Sequence, residues 1–165
     1  MSYLKFCIEK KYRPVAEWVT AGGGWVPPGE AVTGGFDVSG ENIYVGRAQH
    51  EGEVIPGKVV ASHGCCYVAY GGREHRKEEY QALVDPHGCE LIWLHSSNGQ
   101  VPAGALQGGV TADGEPIYVG RHQHDGSFTI GKVHPSHGCL YIPFGGEEHR
   151  YTEYEVLCAK HVPLH

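Results

Sequence analysis

The sequence predicts an all-β domain in which two tandem repeats form one pseudo-twofold, antiparallel β-sheet structure. Three observations lead there. First, IYVGRAQHEG at 43 to 52 returns as IYVGRHQHDG at 117 to 126, and GKVVASHGCCYVAYGGREHR at 57 to 76 returns as GKVHPSHGCLYIPFGGEEHR at 131 to 150. From Gly40 onward the offset is a constant 74, and about 26 of the 45 positions between Gly40 and Val84 match their partners. Two repeats are fewer than an open solenoid needs to stack a continuous core, so closure into one domain is expected. Second, the repeated segments are rich in β-branched and aromatic residues that alternate with polar ones. Third, 25 glycines and 10 prolines are spread along all 165 residues, which favours many turns between short segments and disfavours long helices.

Taken in order, residues 1–17 precede the repeats. Their YLKFCIE stretch alternates as a strand with one apolar face, suited to covering a sheet edge or an oligomer contact. The first repeat runs from 18 to 84, with strands expected at Glu17 to Thr20, Ile43 to Val45, Lys58 to Val60, Cys65 to Tyr70 and Glu79 to Val84. The second, from 93 to 158, carries their counterparts, and 85–92 form a turn at Asp85-Pro86 and Gly88. Residues 159–165 are a C-terminal tail. The HEG and HDG steps read as hairpin turns, and the Gly-Gly pairs at 34-35, 71-72, 108-109 and 145-146 read as punctuation between strands. Upstream the offset becomes 75, because Trp18-Val19 aligns with Trp93-Leu94. One residue, most simply Glu30, is extra in the first copy.

Composition excludes several function classes. A formal charge of -6 with 13 unclustered Lys plus Arg offers no basic stripe, so nucleic acid is not an expected partner. No run of some eighteen apolar residues exists for a membrane span, and the charged N-terminal stretch does not read as a secretory signal. Six cysteines without a C-x-x-C spacing point to reduced thiols, hence to cytoplasmic residence, with release by an unconventional route as the way out of the cell.

No metal or other cofactor is expected. His-x-Cys supplies two ligands at most, so the 12 histidines read as hydrogen-bonding partners of turn backbone. Nor is an enzyme expected. Ser62-His63 and Ser136-His137 would point to opposite faces of an extended strand, and no nucleophile-elbow, zincin, P-loop or dinucleotide fingerprint occurs.

The repeated polar residues fit ligand contacts on a rigid scaffold. Asp37 follows Gly34-Gly35, and Lys58 and Lys132 follow Gly57 and Gly131. A carboxylate and an ammonium together match adjacent hydroxyls of a polyol, one accepting their protons and the other donating to their oxygens. The competing reading of the same pair is a surface salt bridge.

The pattern W-V, P-x-G-A, G-G, G-E-x-I-Y-V-G-R, H-E-G, P-G-K-V, S-H-G-x-C/L-Y-V, G-G-x-E-H and Y-x-x-L resembles the DM-nine repeat family, in the two-copy arrangement of bivalve mannose-binding lectins. The likeness covers Trp18 to Cys158. It implies a pseudo-twofold all-β fold, a homodimer, and one sugar site per repeat with mannose or mannose-type glycans as partners, in a pattern-recognition role of innate immunity. An Asp and a Lys carry recognition in those lectins, and the matching residues are Asp37 and Lys58. The second site keeps Lys132 but has Thr111 at the carboxylate position. Either Asp113, two residues on, substitutes for it, or the second site is weak or differently specific. The alternative function is an intracellular structural or protein-interaction module without a sugar ligand.

Overall fold

The computed structural model describes residues 16–160; the YLKFCIE strand expectation lies outside them. The first repeat supplies seven strands: β1 (Glu17–Gly22), β2 (Thr33–Phe36), β3 (Asn42–His50), β4 (Glu53–Val60), β5 (Cys65–Tyr70), β6 (Arg73–Lys77) and β7 (Glu79–Val84). The second repeats them as β8 (Leu91–Ser97), β9 (Gln107–Val110), β10 (Pro116–His124), β11 (Ser127–His134), β12 (Cys139–Phe144), β13 (Glu147–Tyr151) and β14 (Glu153–Ala159). All are antiparallel and belong to a single sheet. Among the described residues no helix is long and apolar enough to cross a membrane.

The repeats are joined by exchanging strands. β2 pairs with β3 of its own repeat and with β11 of the other, through Phe36 and Phe128. Its counterpart β9 pairs with β10 and with β4, through Val110 and Val54. Since β3 also pairs with β4, and β10 with β11, these six strands close into a ring. A ring leaves none of its strands as an open edge, which is how small β domains avoid sheet-to-sheet association. Inside it Ile43, Val45, Val60 and Leu83 of one repeat pack on Val119, Ile130 and Leu157 of the other, and each repeat adds a flanking core of its own. Each such aliphatic side chain contributes roughly 1.5–3 kcal/mol on burial. The central core therefore needs both copies.

The turns follow their chemistry. Glu51-Gly52 and Asp125-Gly126 all have positive φ and join β3 to β4 and β10 to β11 as two-residue loops, the geometry that matches strand twist. Gly71-Gly72 and Gly145-Gly146 do the same for β5–β6 and β12–β13. The pairs at 34-35 and 108-109 differ from expectation, since they lie inside β2 and β9. Crowding explains them: a Cβ on Gly35 would stand 1.9 Å from the Phe128 carbonyl oxygen, and one on Gly109 1.9 Å from that of Val54.

The extra residue also shifts. Asp85 N–H donates to the Glu30 carbonyl as Ala159 N–H donates to that of Gly104, so Glu30 corresponds to Gly104. The insertion falls just before it, within a turn closed by Ala31 N–H on Pro27 O in the first copy and by Ala105 N–H on Pro102 O in the second.

Candidate functional site

Two pseudo-equivalent sites form where the repeats meet, each around a lysine. Lys58 on β4 and Lys132 on β11 are both only 4% exposed. Each faces its own repeat's tyrosine and an aromatic ring of the other repeat: Lys58 Nζ lies 5.6 Å from the Tyr67 ring centre and 5.0 Å from that of Phe144. Lys132 Nζ lies 5.5 Å from both Tyr141 and Tyr70. Strand alternation places these rings, because Lys58 registers opposite Tyr67 and Lys132 opposite Tyr141.

Burial pulls both ammonium pKa values below that of an ordinary lysine, opposed by carboxylates: Glu74, then Asp37 around Lys58, and Glu148, then Glu53 around Lys132. Those carboxylates do not saturate the donors. Glu74 Oε2 stands 3.9 Å from Lys58 Nζ, beyond hydrogen-bond reach, and Glu148 Oε2 stands 3.5 Å from Lys132 Nζ. Glu148 Oε2 is buried, and the charge that faces it is the Lys132 ammonium.

The glutamates are held by the opposite repeat. Glu74 Oε1 accepts from Gly146 N–H at 3.2 Å and Glu74 N–H donates to Gly146 O at 3.0 Å. Glu148 reproduces this with Gly72, at 3.1 Å and 3.0 Å. Neither site can therefore be assembled by one repeat.

A short 3-10 turn forms another wall of each site, Ala61–His63 in one repeat and Pro135–His137 in the other. The Ser62-His63 segment is thus a turn and not the extended strand expected, although the two side chains still do not couple. Ser62 donates its hydroxyl and its N–H to Glu41, while His63 Nδ1 meets the Tyr67 hydroxyl at 2.9 Å. Glu115, Ser136, His137 and Tyr141 repeat the arrangement. His75 and His149 bond the backbone carbonyls of Tyr70 and Phe144, whereas His63, His137 and His124 depart from the backbone-bonding expectation and meet the hydroxyls of Tyr67, Tyr141 and Tyr151.

Of the four residues singled out from sequence, Asp37, Lys58 and Lys132 lie at these sites; Asp37 Oδ2 is 3.9 Å from His63 Nε2. Asp113 does not come alongside Lys132. The segment is a tight turn, closed by Gly114 N–H on Thr111 O, with Asp113 exposed on it, so an argument from strand alternation fails there. Thr111 is buried and its hydroxyl accepts from Glu115 N–H at 3.0 Å.

The carboxylate at the second site is instead Glu53, which the sequence reading missed. The Val54–Val110 pairing sets Glu53 beside Thr111, and Glu53 Oε2 accepts from Ala112 N–H at 3.1 Å. The matching pair at the first site is Ser127 beside Asp37, set by Phe36 and Phe128. An acid therefore stands on one strand at the first site and on the facing strand at the second. A signal existed: the repeat partner of Asp37 loses its acid while the repeat partner of Ser127 gains one.

A family model described as the DM9 repeat matches residues 6–55 and 37–151. The chain is similar to two proteins of Thalassophryne nattereri. It is 38% identical to Natterin-3 over 93 residues, which are 56% of this chain and 23% of that protein, and 30% identical to Natterin-1 over 138 residues, 81% of this chain and 37% of that protein. It thus spans 23% to 37% of the length of these curated relatives. Among solved structures it resembles the nematode sperm cell motility protein MFP2B, with a TM-score of 0.66 and 21% identity over 88% of this chain and 47% of that one, a likeness of fold.

Proposed function

This chain belongs to the DM9 repeat family, and on that premise we propose that it is a lectin binding mannose-type glycans at two sites per chain, by recognition and without catalysis. The observation that carries this reading is the pair of buried ammonium groups, each between two aromatic rings, with Glu74 at 3.9 Å from one and Glu148 at 3.5 Å from the other. A sugar hydroxyl accepts from the ammonium and donates to Asp37 or Glu53, satisfying both charges at once. The rings offer apolar faces to the C–H surface of a pyranose.

Monosaccharide sites of this kind are individually weak, and two in one chain raise avidity toward a surface that displays many sugars. Assembly into a homodimer would multiply that gain and suits recognition of microbial glycans in innate defence. Because the ligand set is lysine, carboxylate and ring, with no calcium loop in the sequence, binding is expected to persist in chelator.

Retention of purified protein on mannose-agarose and elution by free mannose test the reading. The double variant Lys58→Gln, Lys132→Gln is expected to flow through while keeping its circular dichroism spectrum and thermal transition. Failure of the wild-type protein to bind, or retention of the double variant equal to wild type, would sink it.

A further inference from the structure

The repeats differ most beside Arg47 and its counterpart Arg121. Each guanidinium lies over a tryptophan, Arg47 at 4.3 Å from Trp18 and Arg121 at 4.1 Å from Trp93. Beyond that shared contact they are satisfied differently. Arg121 donates to the Glu155 carboxylate at 2.8 Å and to the Gly34 carbonyl at 3.1 Å, and Phe128 adds a second ring at 4.3 Å. Arg47 has the neutral Gln81 where Arg121 has Glu155, and among the described residues it donates only its Nε, at 2.7 Å. The position of Phe128 is Val54.

The surrounding substitutions open space. His122, Tyr151 and Phe128 of the second repeat, with Phe36 reaching across from β2 of the first, surround Arg121, His122 against Tyr151 at 4.0 Å and Phe36 edge-on to Phe128 at 6.2 Å. Their repeat partners, which surround Arg47, are Ala48, Lys77, Val54 and, reaching across from β9 of the second repeat, Val110. These four line a groove of about 1010 Å³ that also holds Arg47, Gln49, Gln81 and Gln107. Of the two carboxylates along it, Glu78 is paired with Arg76 at 2.7 Å and Glu79 makes no hydrogen bond to Arg47 among the described residues.

A guanidinium that is half out of water and, among the described residues, has no counter-ion retains a desolvation cost that a bound anion offsets. The second repeat shows what completes the arrangement: a carboxylate at Nε and an apolar cover. We infer that the groove of the first repeat binds a saccharide carrying a carboxylate, with the acid on Arg47 and hydroxyls on the glutamine amides. The saccharide part rests on the lectin reading above and on continuity, since Gln49, Val54 and Lys77 also line the hollow at the β3–β4 turn that contains Glu53 of the second sugar site. A uronic-acid unit in the groove therefore lies along the same surface as a sugar held by Lys132.

Calorimetric titration of the full chain with an oligouronate, with its carboxyl-reduced neutral counterpart and with acetate tests this. The oligouronate is expected to bind roughly tenfold or more tightly than the reduced form. Gln81→Glu, which restores the internal carboxylate, is expected to abolish that preference while retention on mannose-agarose is unchanged, and Val54→Phe, which restores the cover, is expected to abolish the preference as well. Equal binding of the acidic and reduced oligosaccharides, or a preference that survives both variants, overturns the site. Acetate binding as tightly as the oligouronate overturns the saccharide assignment. Loss of mannose retention in the wild type bears on the lectin reading alone, because the carboxylate preference is measured separately.

Discussion

The site at Lys58 and the site at Lys132 share a lysine, a tyrosine, a glutamate clasped by the opposite repeat and a 3-10 turn, but their second carboxylate comes from different strands. Asp37 follows β2 at the first site, whereas Glu53 begins β4 at the second. The chemistry of the site is thus kept while the address of one residue changes. What makes this possible is the strand exchange: positions 37 and 127, or 111 and 53, face each other across a pair of strands from different repeats. Either strand can deliver the acid to the same place.

Breaking the exchange is expected to have the largest effect, and to do so equally in both halves. Gly35→Ala and Gly109→Ala each drive a methyl group into a carbonyl oxygen of the partner strand, at 1.9 Å in both cases. Backbone cannot yield as a flexible side chain does, so each variant is expected to lose about 3 kcal/mol or more of stability. Urea unfolding measures it. A loss confined to one variant would show that the two joints do not carry the fold alike.

Next in size is the division of labour between the acids. Asp37→Asn is expected to silence the first site and Glu53→Gln the second, each removing a charge-assisted hydrogen bond and weakening its own site by roughly tenfold or more. Calorimetry with mannose should then show two sites in the wild type, one in either variant and none in the double. Two sites persisting in Glu53→Gln would remove Glu53 from the second site.

A smaller effect concerns acid. His124 lies near Lys58 and His50 near Lys132, and both are held below the ordinary histidine pKa, first by burial and then by neighbouring His149 or His75. Lys77 adds to the effect at His50 and His122 at His124, while Glu51 and Asp125 oppose it. A depressed histidine is neutral in the fold and charges more readily when unfolded. Its stability contribution is complete above the unfolded value near 6.5 and is lost as pH falls through the folded value. Thermal midpoints should fall on acidification below neutrality, less steeply in His50→Phe and His124→Phe. Unchanged slopes in both variants would assign the acid sensitivity elsewhere.

These contrasts mark how far the sequence could be read. Strands with period-two alternation and the positive-φ turns at Glu51-Gly52 and Asp125-Gly126 were legible because a few consecutive residues determine them. Lys58, Lys132 and Asp37 were reached through the repeat and the resemblance it carries. The role of Gly35 was not legible, because what crowds it is a carbonyl some ninety residues away in sequence, and spacing alone contains no such contact. Glu53 was missed for the same reason: comparing repeats in register searches the same strand, while the acid had crossed to its neighbour.

Asp113 provides the finest test of that distinction and the smallest expected effect. A register argument makes Asp113 the substitute for the carboxylate missing at Thr111, and it holds only if residues 111 to 113 are extended. In the structure Gly114 N–H reaches back to Thr111 O, so the chain reverses and Asp113 is exposed while Glu53 takes the place beside Lys132. Asp113→Ala is therefore expected to leave mannose affinity at both sites within about twofold of wild type and stability within about 0.5 kcal/mol, the usual range for an exposed substitution. Glu53→Gln measured beside it should differ sharply. If instead Asp113→Ala removes a site and Glu53→Gln does not, the second lysine draws its acid from its own repeat, and the exchange of carboxylates between strands is wrong.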